Sequence, residues 1–124
     1  MVAKGTEVLI VDDNVMNRRL FSMLLKKLES SVEEAGSGEE CLEKVCRKKY
    51  DLIFMDHLMP GMDGIEALNR MKKLERCLNM DTPVIALTAN DMNSGRDFYL
   101  DAGFDGYLEK PVLPKKLEEE IAEL

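Results

Sequence analysis

The sequence predicts a three-layer, doubly wound α/β domain: a five-stranded parallel sheet of order 2-1-3-4-5 with five helices on its faces. Three observations carry this prediction. Three short apolar runs, Val8–Val11, Leu52–Met55 and Val84–Leu87, lack polar alternation and are too short for helices, which suits strands buried on both faces. Segments of helical periodicity separate them, so the order reads β-α five times over, and right-handed crossovers make such a sheet parallel. The remaining strand candidates, Val32–Ala35 and Gly106–Leu108, are more polar and belong at the edges, which the order 2-1-3-4-5 provides. A length of 124 residues suits one domain with a single core, here residues 1–124.

After the first strand, Met16, Leu20, Leu24 and Leu28 are spaced to share the inner face of a helix, with Asn14 as N-cap. Leu42, Val45 and Cys46 mark the second helix, opened by Glu39 and Glu40 and closed by Arg47–Lys49, as the helix dipole favours. Beyond the third strand, Met59-Pro60-Gly61-Met62 has the Pro-Gly pair of a type II turn. Asp63-Gly64-Ile65-Glu66 then reads as a capping-box variant opening a helix along Ile65, Leu68, Met71 and Leu74. A fourth helix is expected around Met92–Ala102, containing Gly95 and ending at Gly103, and a fifth along Leu113, Leu117, Ile121 and Leu124.

With 45% hydrophobic and 33% charged residues the chain is globular, and no apolar run approaches the ~20 residues of a membrane helix. The N-terminal MVAKGTEV lacks the apolar core of a secretory signal, so a cytoplasmic location without membrane contact is expected. A net charge of −7 argues against gripping nucleic acid and leaves a divalent cation or a basic partner surface as acceptable company. Cys41, Cys46 and Cys77 form no C-x-x-C pair and read as free buried thiols.

Ligands of doubly wound sheets bind beyond the carboxyl ends of the strands. There the sequence places Asp12-Asp13 after strand 1, Asp56 after strand 3, Thr88-Ala89 after strand 4 and Lys110-Pro111 after strand 5. Three carboxylates so close repel one another unless a cation lies between them. Oxygen donors without His or Cys favour Mg²⁺, or Mn²⁺, over zinc. A phosphoryl group on Asp56 would present oxygens to the metal, the Thr88 hydroxyl and the Lys110 amine, and phosphoryl transfer needs little beyond positioning and charge neutralisation. Asp56, on the central strand between the acid pair and Lys110, is the reasonable nucleophile.

The stretches LIVDDN (9–14), DLIFMDHLMPGMDG (51–64), PVIALTAN (83–90) and AGFDGYLEKP (102–111) resemble the receiver domain of two-component response regulators over essentially the whole chain. DDNVMNRR with ALTAN looks most like receivers of hybrid sensor histidine kinases. The resemblance implies a flavodoxin-like receiver fold and a phosphoacceptor role for Asp56, loaded from a phosphohistidine on a sensor kinase or histidine phosphotransfer protein. It implies Mg²⁺ held by Asp13, Asp56 and the Leu58 carbonyl, with Asp12 assisting through water. Thr88 and Lys110 would hold the phosphoryl group, Tyr107 would be the aromatic switch, and the Lys110–Pro111 bond would be cis. It also implies a signalling domain rather than an enzyme of metabolism, one that catalyses its own loading and unloading and can dimerise when phosphorylated.

Plainer readings suit several residues. His57, the only histidine, should point to the face opposite Asp56, which makes it a bystander and no general base. Leu58 should point back toward the site and hinder an attacking water. Arg18 and Arg19 read as a solvated helix face. Two other functions compete: a Mg²⁺-dependent phosphohydrolase with an aspartyl-phosphate, which would need a second acid where Leu58 stands, and a flavodoxin-like cofactor module, whose first loop Asp12-Asp13 would repel phosphate.

Overall fold

The structure, a computed structural model, describes residues 5–89 and 96–110 together with Lys115 and Glu119. Its strands are β1 (Glu7–Val11), β2 (Ser31–Ala35), β3 (Leu52–Asp56), β4 (Val84–Ala89) and β5 (Gly106–Lys110). All are parallel, in the predicted order β2-β1-β3-β4-β5. Four helices are described: α1 (Val15–Lys27), α2 (Gly38–Val45), α3 (Gly64–Lys73) and α4 (Arg96–Ala102). The start of the predicted fourth helix and its Gly95 lie outside the described residues. So does the predicted fifth helix, except for Lys115 and Glu119, which are helical and exposed. Among the described residues no helix is long and apolar enough to cross a membrane.

The continuous apolar runs are the central strands. Val8–Val11 are fully buried and all five residues of β3 are buried, because helices cover both faces. Alternate side chains sort between those faces. Leu9, Val11, Ile53, Met55 and Ala86 pack with Cys41, Val45, Leu68, Met71 and Tyr99 of α2, α3 and α4. Val8, Ile10, Leu52, Phe54, Ile85 and Leu87 pack with Phe21 and Leu25 of α1.

One predicted helix face is corrected. Phe21, Ser22 and Leu25 are the buried residues of α1; Leu24 and Leu28 are half-buried, while Met16 and Leu20 are 76% and 57% exposed. Phe21 decides the rotation, since its ring lies 4.9 Å from Phe54 and buries more apolar surface than Leu20 could. The predicted caps Asn14 and Asp63 accept from the backbone N–H groups of Asn17 and Glu66, and Ser37 caps α2 in the same way.

At the amino ends of the strands, Asn79 is fully buried in the connection between α3 and β4. Its Oδ1 accepts from the Tyr50 N–H at 2.7 Å and the Thr82 hydroxyl at 2.8 Å. Its Nδ2 donates to the carbonyls of Val45 at 2.9 Å and Lys48 at 2.8 Å. The amide thereby uses its full capacity to tie the α2–β3 connection to the α3–β4 connection. The cysteines are free, with Cys41 and Cys77 buried and Cys46 half-buried. Burial pushes the Cys41 thiol up to about 12, so it stays a protonated packing group.

Candidate functional site

The site lies at the opposite, carboxyl end of the sheet. Asp56 is the last residue of β3 and Lys110 the last of β5, so each is held by strand pairing up to the point where its side chain acts. Asp12 follows β1, and its N–H donates to the Ala35 carbonyl at 3.0 Å, one step beyond the strand itself. Leu87 is the register partner of Asp56, which puts Thr88, 5% exposed, one step further toward the mouth.

These elements bring the predicted side chains together. Lys110 Nζ is 2.8 Å from Asp56 Oδ1 and 3.2 Å from Asp12 Oδ2. Carboxylate oxygens of Asp12, Asp13 and Asp56 lie within 4.8 Å of one another. Asp12 and Asp56 are buried while Asp13 is exposed, so the cluster opens to solvent on one side. The other Asp12 oxygen accepts from the Asn14 N–H at 2.9 Å, which fixes the acid turn to the start of α1.

The electrostatics are unbalanced. Burial raises the Asp56 carboxyl above its ordinary value; Lys110 pulls it down, Asp12 and Asp13 push it up, and the upward shift prevails. For Lys110, burial favours the neutral amine, but the hydrogen bond and charge of Asp56, with help from Asp12, outweigh it and keep the ammonium. Among the described residues, one ammonium against three carboxylates leaves an excess of negative charge. The donors are all hard oxygens, so the residues present fit a hard divalent cation.

Several supporting residues escaped the sequence reading. Arg18 is half-buried rather than solvated: its Nη1 donates to the Asp12 carbonyl at 2.8 Å and its Nε to Glu34 Oε1 at 3.1 Å. It clamps the acid turn to the end of β2, while Arg19 is exposed as predicted. Gly64 donates to the His57 carbonyl at 2.8 Å, and a Cβ there would collide with the Asp56 carbonyl oxygen. Gly61 has a φ of 75°, as the third position of a type II turn demands. Leu58, two residues beyond Asp56, is 69% exposed. His57 turns to the face opposite Asp56, but it is not idle there: its Nδ1 lies 2.9 Å from the Tyr99 hydroxyl. Tyr107 is half-buried and stacks on Tyr99 with centroids 5.7 Å apart. The Lys110–Pro111 bond falls outside the described residues because Pro111 does.

Residues 8–122 match the family described as the response regulator receiver domain. The transcriptional regulatory protein ResD of Bacillus subtilis is 37% identical over 112 residues, covering 90% of this chain and 45% of ResD. The signal transduction histidine-protein kinase BarA of Escherichia coli is 39% identical over 110 residues, covering 89% of this chain and 12% of BarA. The chain thus spans less than half the length of these curated relatives. Among solved structures, the receiver domain of the Pseudomonas aeruginosa sensor histidine kinase PA1611, which holds magnesium in its active-site cleft, superposes with a TM-score of 0.85 at 32% identity, covering 96% of each chain. The Saccharomyces cerevisiae Ssk1 receiver domain, solved with the histidine phosphotransfer protein Ypd1, gives a TM-score of 0.87 at 30% identity, covering 99% of this chain and 90% of that one. A parallel 2-1-3-4-5 sheet with an acid cluster and a lysine at its carboxyl mouth, matched along nearly its whole length, has one family reading: the chain belongs to the response regulator receiver domains, the receiving module of two-component phosphorelays.

Proposed function

We propose that Asp56 is the phosphoacceptor, and that residues 1–124 act as one receiver unit. The observation that carries this is the mouth itself: a buried carboxylate on the central strand, an ammonium 2.8 Å away and two further carboxylates beside it. Attack by Asp56 on a phosphohistidine forms the O–P bond as the P–N bond breaks, and the departing imidazole takes its proton from solvent. Lys110 then pairs with a phosphoryl oxygen and the Thr88 hydroxyl donates to another. Asp12, Asp13, Asp56 and the Leu58 carbonyl would hold Mg²⁺ (the same oxygens suit Mn²⁺), which supplies charge neutralisation at the phosphoryl oxygens when bound. Leu58 shields the acyl phosphate from water. Because these groups belong to the receiver itself, it would catalyse its own loading from a small donor.

The phosphohistidine would belong to a sensor kinase or a histidine phosphotransfer protein working in the cytoplasm. Support comes from α1, where Val15, Met16, Leu20 and Met23 expose apolar side chains next to the acid turn, and from the complex of the similar Ssk1 receiver with Ypd1. Loading would turn Tyr107 inward as Thr88 moves to the phosphoryl group, repacking the face of α4 and β5 on which a phosphorylation-linked dimer would form. Nothing in the comparisons favours the phosphohydrolase reading.

Intact-mass analysis after incubation with acetyl phosphate and Mg²⁺ tests the assignment. One added phosphoryl group, absent in Asp56→Asn, is expected. An unmodified wild-type protein under every donor, or an adduct that survives in Asp56→Asn, overturns it.

A further inference from the structure

Asp56 and His57 are neighbours in sequence whose side chains leave β3 on opposite faces. The His57 backbone is fixed from both sides, its N–H donating to Leu87 at 2.9 Å and its carbonyl accepting from Gly64 at 2.8 Å. Its ring therefore issues from a rigid point one residue from the acceptor and reaches α4. Tyr99 there is fully buried, and the partner of its hydroxyl among the described residues is His57 Nδ1, at 2.9 Å. The Tyr99 ring meets His57 edge-on at 5.4 Å and Phe104 at 5.9 Å, and it lies within 19° of parallel to Tyr107. Tyr107 is thus stacked on a ring that a partly buried hydrogen bond tethers to the residue following the acceptor.

We propose that His57 and Tyr99 are positioning residues: their hydrogen bond holds Tyr107 in its resting place and thereby sets how readily Asp56 is loaded. This rests on the reading of Asp56 as acceptor and Tyr107 as switch. In this proposal Tyr99 shifts together with the Tyr107 ring stacked on it, and a buried hydroxyl that leaves its partner is left unsatisfied. The bond therefore opposes the switched arrangement. By linkage it also opposes whatever favours that arrangement, loading of Asp56 included. The geometry serves either imidazole tautomer, with the phenol donating to Nδ1 or Nδ1–H donating to the phenol oxygen.

The test is Tyr99→Phe, which keeps the ring and its stack and deletes the hydroxyl. A bond of ordinary net strength shifts the switch population about fivefold. Tyr99→Phe should then bind beryllium fluoride with Mg²⁺ about fivefold more tightly and take a phosphoryl group from acetyl phosphate about fivefold faster. The Tyr107 ring resonances of the unloaded variant should move toward their positions in the loaded wild type, which a loss of packing alone would not produce. His57→Leu should act in the same direction, His57→Asn, whose amide δ atoms stand where Nδ1 does, should restore wild-type behaviour, and the Tyr99→Phe/His57→Leu double variant should go no further than either single one. Wild-type loading rates with unmoved Tyr107 resonances in Tyr99→Phe and His57→Leu overturn the inference and leave Asp56 as acceptor untouched. If the wild type accepts no phosphoryl group, the reading of Asp56 falls instead, and the link is decided by whether the Tyr107 resonances of Tyr99→Phe and His57→Leu depart from the unloaded wild type in the same direction.

Discussion

The two ends of the sheet handle polar groups in opposite ways. At the amino end, every group of the Asn79 amide is matched, and Lys48 sits between Glu33 at 2.7 Å and Glu7 at 3.0 Å. Glu33 also takes the Tyr50 hydroxyl at 3.2 Å, and its carboxyl is lowered, chiefly by the hydrogen bond from Lys48. At the carboxyl end, among the described residues, the Lys110 ammonium pairs with Asp56 and Asp12 with Asp13 beside them, and the Asp56 carboxyl is raised instead. One end is finished by the chain alone, while among the described residues the other is short of positive charge. Stability and function are thereby assigned to different ends of the same strands.

Damage to the finished end should cost the most. Asn79→Ala leaves the buried Tyr50 N–H and two carbonyls without partners, for a loss of about 3 kcal/mol. Urea unfolding should show it, and once folded the variant should still take a phosphoryl group at Asp56. An equal loss of phosphorylation would erase the division between the ends.

Neutralising the unfinished end should act with the opposite sign. The raised Asp56 value means that the folded protein binds this proton more tightly than the unfolded chain, whose value is ~3.9. The stability that Asp56 contributes is fully present below that unfolded value and is lost as pH rises through the raised folded value. Asp56→Asn lacks this loss, so at pH 7 it should melt roughly 4 °C above the wild type, from about 1 kcal/mol. Melting curves across pH should show the gap closing on acidification. A gap that is constant or widens toward acid would contradict the sign.

Smaller effects probe the joints between the ends and the bound groups. Arg18→Met removes the clamp on the Asp12 carbonyl and should weaken Mg²⁺ binding roughly fivefold, by titration calorimetry, because the acid turn loses its support on β2. Leu58→Asn should shorten the phosphoryl lifetime about threefold by offering water a polar foothold. A lifetime of seconds unchanged by this substitution would remove the shielding role.

The central strands and the site were legible in the sequence for a common reason. An apolar run buried on both faces ends where the chain meets solvent, so the polar residue after Val11, Met55 and Leu87 is already at the mouth. What was not legible depended on partners distant in sequence. On α1 two overlapping apolar stripes compete, and the contact of Phe21 with Phe54 chooses between them. Asn79 looks like a loop residue until Val45, Lys48 and Tyr50 gather round it. Arg18 waits on the Asp12 carbonyl and His57 on Tyr99, contacts that no local spacing encodes.

β1 pairs with both β2 and β3, so residues 7–56 contain everything needed to bring the three carboxylates together. Synthesis proceeds from the amino end, and domains begin to organise as they emerge. The ribosome therefore releases the acid cluster long before it releases the lysine. Until β5 docks along β4, the nascent sheet carries that cluster's repulsion without the Lys110 ammonium that pairs with Asp56 and Asp12.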